Sequence, residues 1–234
     1  GLILARDKAL SKKLLAYHRI PVPEFTVIRR GRKALVPKRL RFPLIVKSLF
    51  FEASTGISQA SVVENEDQLA RRVQFVHESL GTAAIVEQFI DGRELYVGVV
   101  GNSRLSVFPV WEMSFAQGQD NRWRIATERV KWSTQYQKRH GIMTAAATLE
   151  SDVLDQIQRI ATRTYRSLDL SGYARIDLRL DEERSRAYVL EANPNPNLAY
   201  GEDFAESAEV SGLSYERLLE RLIALGRRWE PART

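Results

Sequence analysis

The chain has 234 residues, 44% of them hydrophobic, enough for one large domain or two smaller ones around a sizeable core. It has no cysteine, which excludes disulfides, thiolate nucleophiles and zinc–thiolate sites, and no apolar run approaches the roughly 20 residues of a membrane helix. The net charge of +6 admits anionic partners such as small phosphates, but the 35 basic residues are spread among 29 acidic ones without a block, which disfavours nucleic acid. With no signal peptide in view, a cytoplasmic protein is expected.

Gly1 to Ala5 enters a helix at once and without an initiating methionine, as though cut from a longer chain. Asp7 to His18 carries a helical stripe that stops before Ile20-Pro21-Val22-Pro23. Phe25 to Ile28 and Phe42 to Lys47 read as strands, and Asn65-Glu66-Asp67-Gln68 opens a helix to about Ser79. Ala84 to Ile90 is a buried strand, Asp91-Gly92 a turn, Glu94 to Val100 an alternating strand and Leu105 to Trp111 another. Ser114 to His140 has no clean period, and a connection that long is usually functional. Ser151 is expected to cap a helix to about Leu168, and Asp203 to Val210 and Ser214 to Trp229 close the chain as helices. Without a regular βαβ rhythm the fold class is α+β, with a boundary at Asp91-Gly92 between units 1–90 and 91–234.

The chemistry concentrates in Tyr173-Ala-Arg-Ile-Asp-Leu-Arg-Leu180 and Tyr188-Val-Leu-Glu-Ala-Asn193, two alternating strands joined by the short charged break Asp181 to Arg186. Centred near Arg184, this hairpin places Asp177 opposite Glu191 and Arg175 opposite Asn193, with Ile176, Leu178 and Leu180 opposite Ala192, Leu190 and Tyr188 on the other face. Like charges facing each other at roughly 5 Å destabilise a sheet. An oxygen-seeking divalent cation would relieve them, and salt links to Arg175 and Arg179 on a plain surface hairpin would do so equally well. Lys47, at a strand end before Ser48 to Gly56, could meet phosphates or simply snorkel to solvent. Glu87 to Ile90 with Glu94 could line a base and a ribose or be a strand with two exposed carboxylates. His18, His77 and His140 have no ligand or triad spacing, and phosphate-loop, G-x-G-x-x-G, H-E-x-x-H and G-x-S-x-G motifs are absent.

Taken in order, these pieces resemble the ATP-grasp superfamily, in particular its D-alanine–D-alanine ligase group. The resemblance runs over Arg6-Asp7-Lys8, Ile20 to Pro23, Phe42 to Lys47, Glu87 to Ile90 with Glu94, Lys131-Trp132, Gly172 to Asp177, Leu190 to Asn193 and Gly212 to Leu218. It implies two α+β subdomains gripping ATP between them. Lys8 and Lys47 would contact phosphates, Glu87, Gln88, Phe89 and Ile90 the adenine edge, Glu94 the ribose, and Lys131 the γ-phosphate. Asp177, Glu191 and Asn193 would hold Mg2+ or Mn2+, usually two ions, and Arg175 would be the catalytic group at the transferring phosphoryl. The implied reaction joins a small carboxylate to an amine through an acylphosphate. A non-catalytic ATP-binding module, needing another domain or partner, is the alternative, and a homodimer is compatible.

Three departures from the family pattern stand out. Phe50, Phe51 and Glu52 follow Lys47 where small residues are expected. Pro194-Asn-Pro-Asn-Leu198 replaces a Ser-Pro-Gly-like turn after Asn193, which disfavours D-alanyl-D-alanine as product. The family's amino-terminal domain, which precedes the Asp-Lys helix, is missing, which implies a truncated core or a companion protein.

Overall fold

The structure is a computed structural model that describes residues 1–51, 54–115 and 122–230, apart from the side chains of 131, 132 and 134. The first helical stretch divides into α1 (Leu2–Arg6) and α2 (Lys8–Tyr17) because Asp7 is extended and its carboxylate accepts from the Ala9 and Leu10 amides. Next come β1 (Phe25–Ile28), β2 (Leu44–Ser48), β3 (Val62–Val63), α3 (Glu66–Ser79) and β4 (Ala84–Gln88). Asn65 caps α3, with Glu66 and Asp67 in its first turn.

A second series follows: β5 (Arg93–Val100), β6 (Ser106–Val107), β7 (Trp111–Ser114), α4 (Glu128–Trp132), α5 (Thr134–Arg139) and β8 (Met143–Ala146). Helix α6 (Ser151–Ser167), β9 (Tyr173–Asp181), β10 (Arg186–Asn193), α7 (Asp203–Val210) and α8 (Tyr215–Arg227) complete the chain. The strand expected over Leu105 to Trp111 is two short strands, since Pro109 between them offers no N–H to a ladder. Ser151 is the first helical residue of α6, not its cap, which is Glu150. The aperiodic stretch contains α4 and α5, short helices capped by Thr127 and Ser133.

Two antiparallel sheets result. One has the order β1-β4-β2-β3, and the other β10-β9-β5-β7-β8 with β6 paired to β5. The four-stranded sheet packs Val46, Val63 and Val86 against Leu69, Val73 and Val76 of α3. The six-stranded sheet buries Leu95, Val97, Ile176, Leu178 and Val189 against Ile157, Ile160 and Tyr165 of α6. Each such aliphatic side chain contributes roughly 1.5–3 kcal/mol by burial.

Helix α2 belongs to both cores. Its Leu15 packs into the larger one, while Ala9 packs on Leu49 and Ile85 beside the four-stranded sheet. The chain passes between the sheets at Phe89 to Gly92. Gly92 has φ +148°, and a Cβ there would lie 1.9 Å from the Leu180 carbonyl oxygen, so only glycine permits this close crossing over β9.

Candidate active site

The β9–β10 hairpin pairs Asp177 with Glu191, Ile176 with Ala192 and Arg175 with Asn193, as the pattern predicts. Beyond Glu191 the register changes. Val189, not Leu190, lies opposite Leu178, and Ala187, not Tyr188, lies opposite Leu180, because a bulge inserts Leu190 as an extra residue. The slip keeps Ala187 and Val189 in the core while Leu190 and Glu191 both line the cleft between the sheets. It also aims the Leu190 carbonyl at Lys12, whose ammonium donates to it at 2.6 Å.

The polar face of the hairpin is a connected network. Arg175 grips Asp177 with two hydrogen bonds of 2.7 and 2.9 Å and lies over the Tyr96 ring, 4.6 Å from its centroid. Burial opposes the Arg175 charge, but Asp177 more than offsets it, so the guanidinium is held firmly protonated. Tyr96, the β5 partner of Asp177, donates its hydroxyl to Glu94 at 2.9 Å. Burial, then Glu94 and Asp177, push that phenol well above its usual value, so it remains a donor. The other Glu94 oxygen accepts from Arg179 at 2.7 Å and from the Ala126 amide at 3.3 Å.

Across the cleft, β4 and β2 present Glu87 and Lys47. Glu87 is 1% exposed and lies 3.0 Å from the Lys47 ammonium and 3.4 Å from that of Lys12, itself 1% exposed. Burial alone would raise the Glu87 pKa; the two ammoniums outweigh it and hold the carboxyl below its ordinary value. Burial dominates for Lys12 and lowers it to about 8 despite Glu87, which leaves it charged at neutral pH. Lys8, one helical turn earlier on the same face of α2, lies 3.6 Å from Glu191 and donates to the Phe51 carbonyl at 2.6 Å.

Lys8, Lys47, Glu94, Asp177 and Glu191 therefore line one narrow cleft of about 60 Å³. Gln88, Phe89 and Ile90, with Glu94 again, line an adjoining hollow of about 790 Å³ beside the hinge. Glu87 lies behind Lys47, and Arg175 and Asn193 stand together at the end of the hairpin beyond Asp177 and Glu191. Lys131 is on α4, but its side chain lies outside the described residues, as does Glu52. The sequence pattern missed Lys12, Tyr96 and the inward course of Arg179. The Lys8/Lys12 spacing of four on one helix was the available signal for the first.

Among the described residues no group of three His, Cys, Asp or Glu side chains is gathered as a metal site. The facing carboxylates with the Asn193 amide make an all-oxygen set of three. That suits Mg2+, which takes few protein ligands and completes its shell with water and phosphate.

The "D-ala D-ala ligase C-terminus" sequence profile matches residues 14–224. The chain belongs to the D-alanine–D-alanine ligase family. Protein y4sG of Sinorhizobium fredii, described only as uncharacterised, is 30% identical over 225 residues, 96% of this chain and 63% of its own. A D-alanine–D-alanine ligase of Desulforudis audaxviator is 30% identical over 226 residues, 95% of this chain and 69% of its own. The D-alanine–D-alanine ligase of Bacillus anthracis complexed with ATP superposes with a TM-score of 0.77 at 21% identity, over 96% of this chain and 67% of that one. The α+β fold is thus the ATP-grasp fold of carbon–nitrogen ligases, and the chain spans about two thirds of the length of these ligase-family relatives.

Proposed function

We propose that this chain is the nucleotide- and metal-binding core of an ATP- and Mg2+-dependent carboxylate–amine ligase. The observation that carries this reading is one cleft with two lysines, Lys8 and Lys47, on one side and the opposed Asp177 and Glu191 on the other. That charge pattern suits a polyphosphate bridged to a divalent cation.

In this reading Gln88 to Ile90 offer backbone groups to the adenine edge, Glu87 is a carboxylate fixed by Lys12 behind them, and Glu94 takes the ribose hydroxyls. Lys8 and Lys47 neutralise phosphate oxygens. Asp177, Glu191 and Asn193 would hold the metal, which would neutralise charge on the phosphate oxygens. Arg175, which Asp177 and Tyr96 hold in place, points its guanidinium at the transferring phosphoryl group. The substrate carboxylate attacks the γ-phosphorus and ADP departs, leaving an acylphosphate. The amine then attacks the acyl carbon, phosphate leaves and the amine gives up a proton. Closure of units 1–90 and 91–234 on each other keeps water from the acylphosphate.

The acid is a small amino acid or a relative of one, and the product is other than D-alanyl-D-alanine. The support is the exit from β10, where Pro194-Asn-Pro-Asn-Leu198 stands in place of the Ser-Pro-Gly-like turn of the family pattern and Asn193 and Asn197 accept from the Asn195 and Ala199 amides. A cytoplasmic location, and a homodimer if one forms, are compatible with this reading; among the described residues no helix is long and apolar enough to cross a membrane.

Mg-ATP at a hundred times its Kd should stabilise the protein by about 2.7 kcal/mol, seen as a rise in Tm. Asp177→Asn and Glu191→Gln should each remove most of that rise, and an unchanged rise in both would overturn the metal assignment. ADP release screened over amino acids and simple carboxylic acids identifies the substrate class. In a version that carries the family's amino-terminal domain, release that no acid stimulates would overturn the ligase reading.

A further inference from the structure

The space between the two sheets is divided. The hinge-side hollow of about 790 Å³ carries Gln88, Phe89 and Ile90, and the narrow cleft of about 60 Å³ carries Lys8, Lys47, Asp177 and Glu191. Glu94 lines both, and Arg179 joins it there at 2.7 Å with only 2% of its surface exposed. The guanidinium also donates to the Arg124 carbonyl at 3.1 Å and the Gly92 carbonyl at 3.4 Å, and lies 5.7 Å from the Phe89 ring centroid. The Glu94 oxygen that it meets also accepts from the Ala126 amide. A single ion pair thus ties the floor strand β9, the hinge and the overlying segment 122–127 to one another. Any molecule that reaches from the hinge to the paired carboxylates must cross this point, and about 60 Å³ on the far side holds no more than a few waters.

We propose that the Arg179–Glu94 pair is a gate within the cleft, and that an elongated polyanion seats across both halves only after Arg179 has left Glu94. The inference rests on the nucleotide reading of this cleft and adds Arg179 to it as an affinity-determining residue. In the closed arrangement the guanidinium completes the hydrogen bonding of Glu94. On opening, ribose hydroxyls replace it there, and the guanidinium turns out of the cleft to water, a cost that the bound polyanion has to meet. The closed population lowers apparent affinity by the open fraction, so weakening the gate raises affinity by the inverse of that fraction.

Two variants test this. Arg179→Met removes the charge and keeps much of the volume; Arg179→Lys keeps the charge and loses the fork, and carries the test if the methionine variant does not fold. Two readouts apply: hydrogen exchange of the 122–127 amides without nucleotide, and Mg-ATP binding by calorimetry, with melting curves confirming the fold. The expected results are exchange faster by about tenfold in the methionine variant, smaller in the lysine variant, and ATP affinity raised in the same order. Unchanged exchange in both variants, or faster exchange with weakened ATP binding, overturns the gate. If exchange rises while neither the wild type nor the variants bind ATP, the gate stands and the nucleotide reading falls. If all bind ATP equally and exchange is unchanged, the nucleotide reading stands and the gate falls.

Discussion

On the four-stranded sheet the buried charge is Glu87 between Lys12 and Lys47, held from two directions by groups that are themselves nearly sealed from water. On the six-stranded sheet Asp177 and Glu191 face each other, and each meets a cation at the cleft, Arg175 and Lys8 respectively. In the first arrangement Glu87 and Lys12 sit behind the cleft, and Lys47 reaches from it into the cleft lining. The second brings two like charges together and leans on cations that a bound metal and phosphates could take over. Charge that stabilises shape and charge that on the proposed reading takes a ligand thus differ in how well the protein alone balances them.

The largest test of that difference removes Glu87. Glu87→Ala leaves the buried Lys12 ammonium and the partly buried one of Lys47 without their anion and should cost about 3–5 kcal/mol in denaturant unfolding. A cost near zero would make the triad as exchangeable as the hairpin. Ile176→Ala, on the apolar side of the same strand as Asp177, should cost about 2–5 kcal/mol through lost burial and a cavity. Asp177→Asn, one residue away, relieves repulsion with Glu191 while giving up Arg175, so its unfolding cost should be the smaller of the two although it removes the Mg-ATP response.

Acid sharpens the same contrast. Glu87 has its carboxyl held below the ordinary value of 4.5, so the stability it contributes is fully present above 4.5 and is lost as pH falls below that. Melting against pH should therefore fall off below about 4.5 in the wild type. In Lys12→Met, with one of the two ammoniums gone, the folded carboxyl value moves back toward the unfolded one and the fall should be shallower; identical profiles would show that Lys12 does not hold Glu87 ionised. The smallest effect belongs to Arg122, whose bidentate link to Glu64 is largely in solvent. Arg122→Ala should change unfolding by less than about 1 kcal/mol.

Much of this was readable in advance for a physical reason. Alternation in Tyr173 to Leu180 and in Glu191 to Asn193 forces Arg175, Asp177, Glu191 and Asn193 onto one face, and the structure pairs them so. The register failed at Leu190 because an apolar residue fits either face equally well, and nothing in Val189-Leu190-Glu191 marks an inserted residue. Arg179 shares the alternation of Asp177, but sequence cannot say whether a polar face meets water or a second sheet. Lys12 was lost for the same reason: a lysine on an amphipathic helix is usually solvated, and only the sheet across from it makes it buried. Helices α4 and α5 have five and six residues, too few to show a period, and only Thr127 and Ser133 as caps announced them.

The Lys12 ammonium reaches Glu87 in one sheet and the Leu190 carbonyl in the other, from a helix that also packs on both. It is in effect a rivet through the spine of a book. The covers have a second fastening besides it, the bond of 2.8 Å from the Gly56 amide to the Glu128 carboxylate, which lies in solvent where the rivet is sealed.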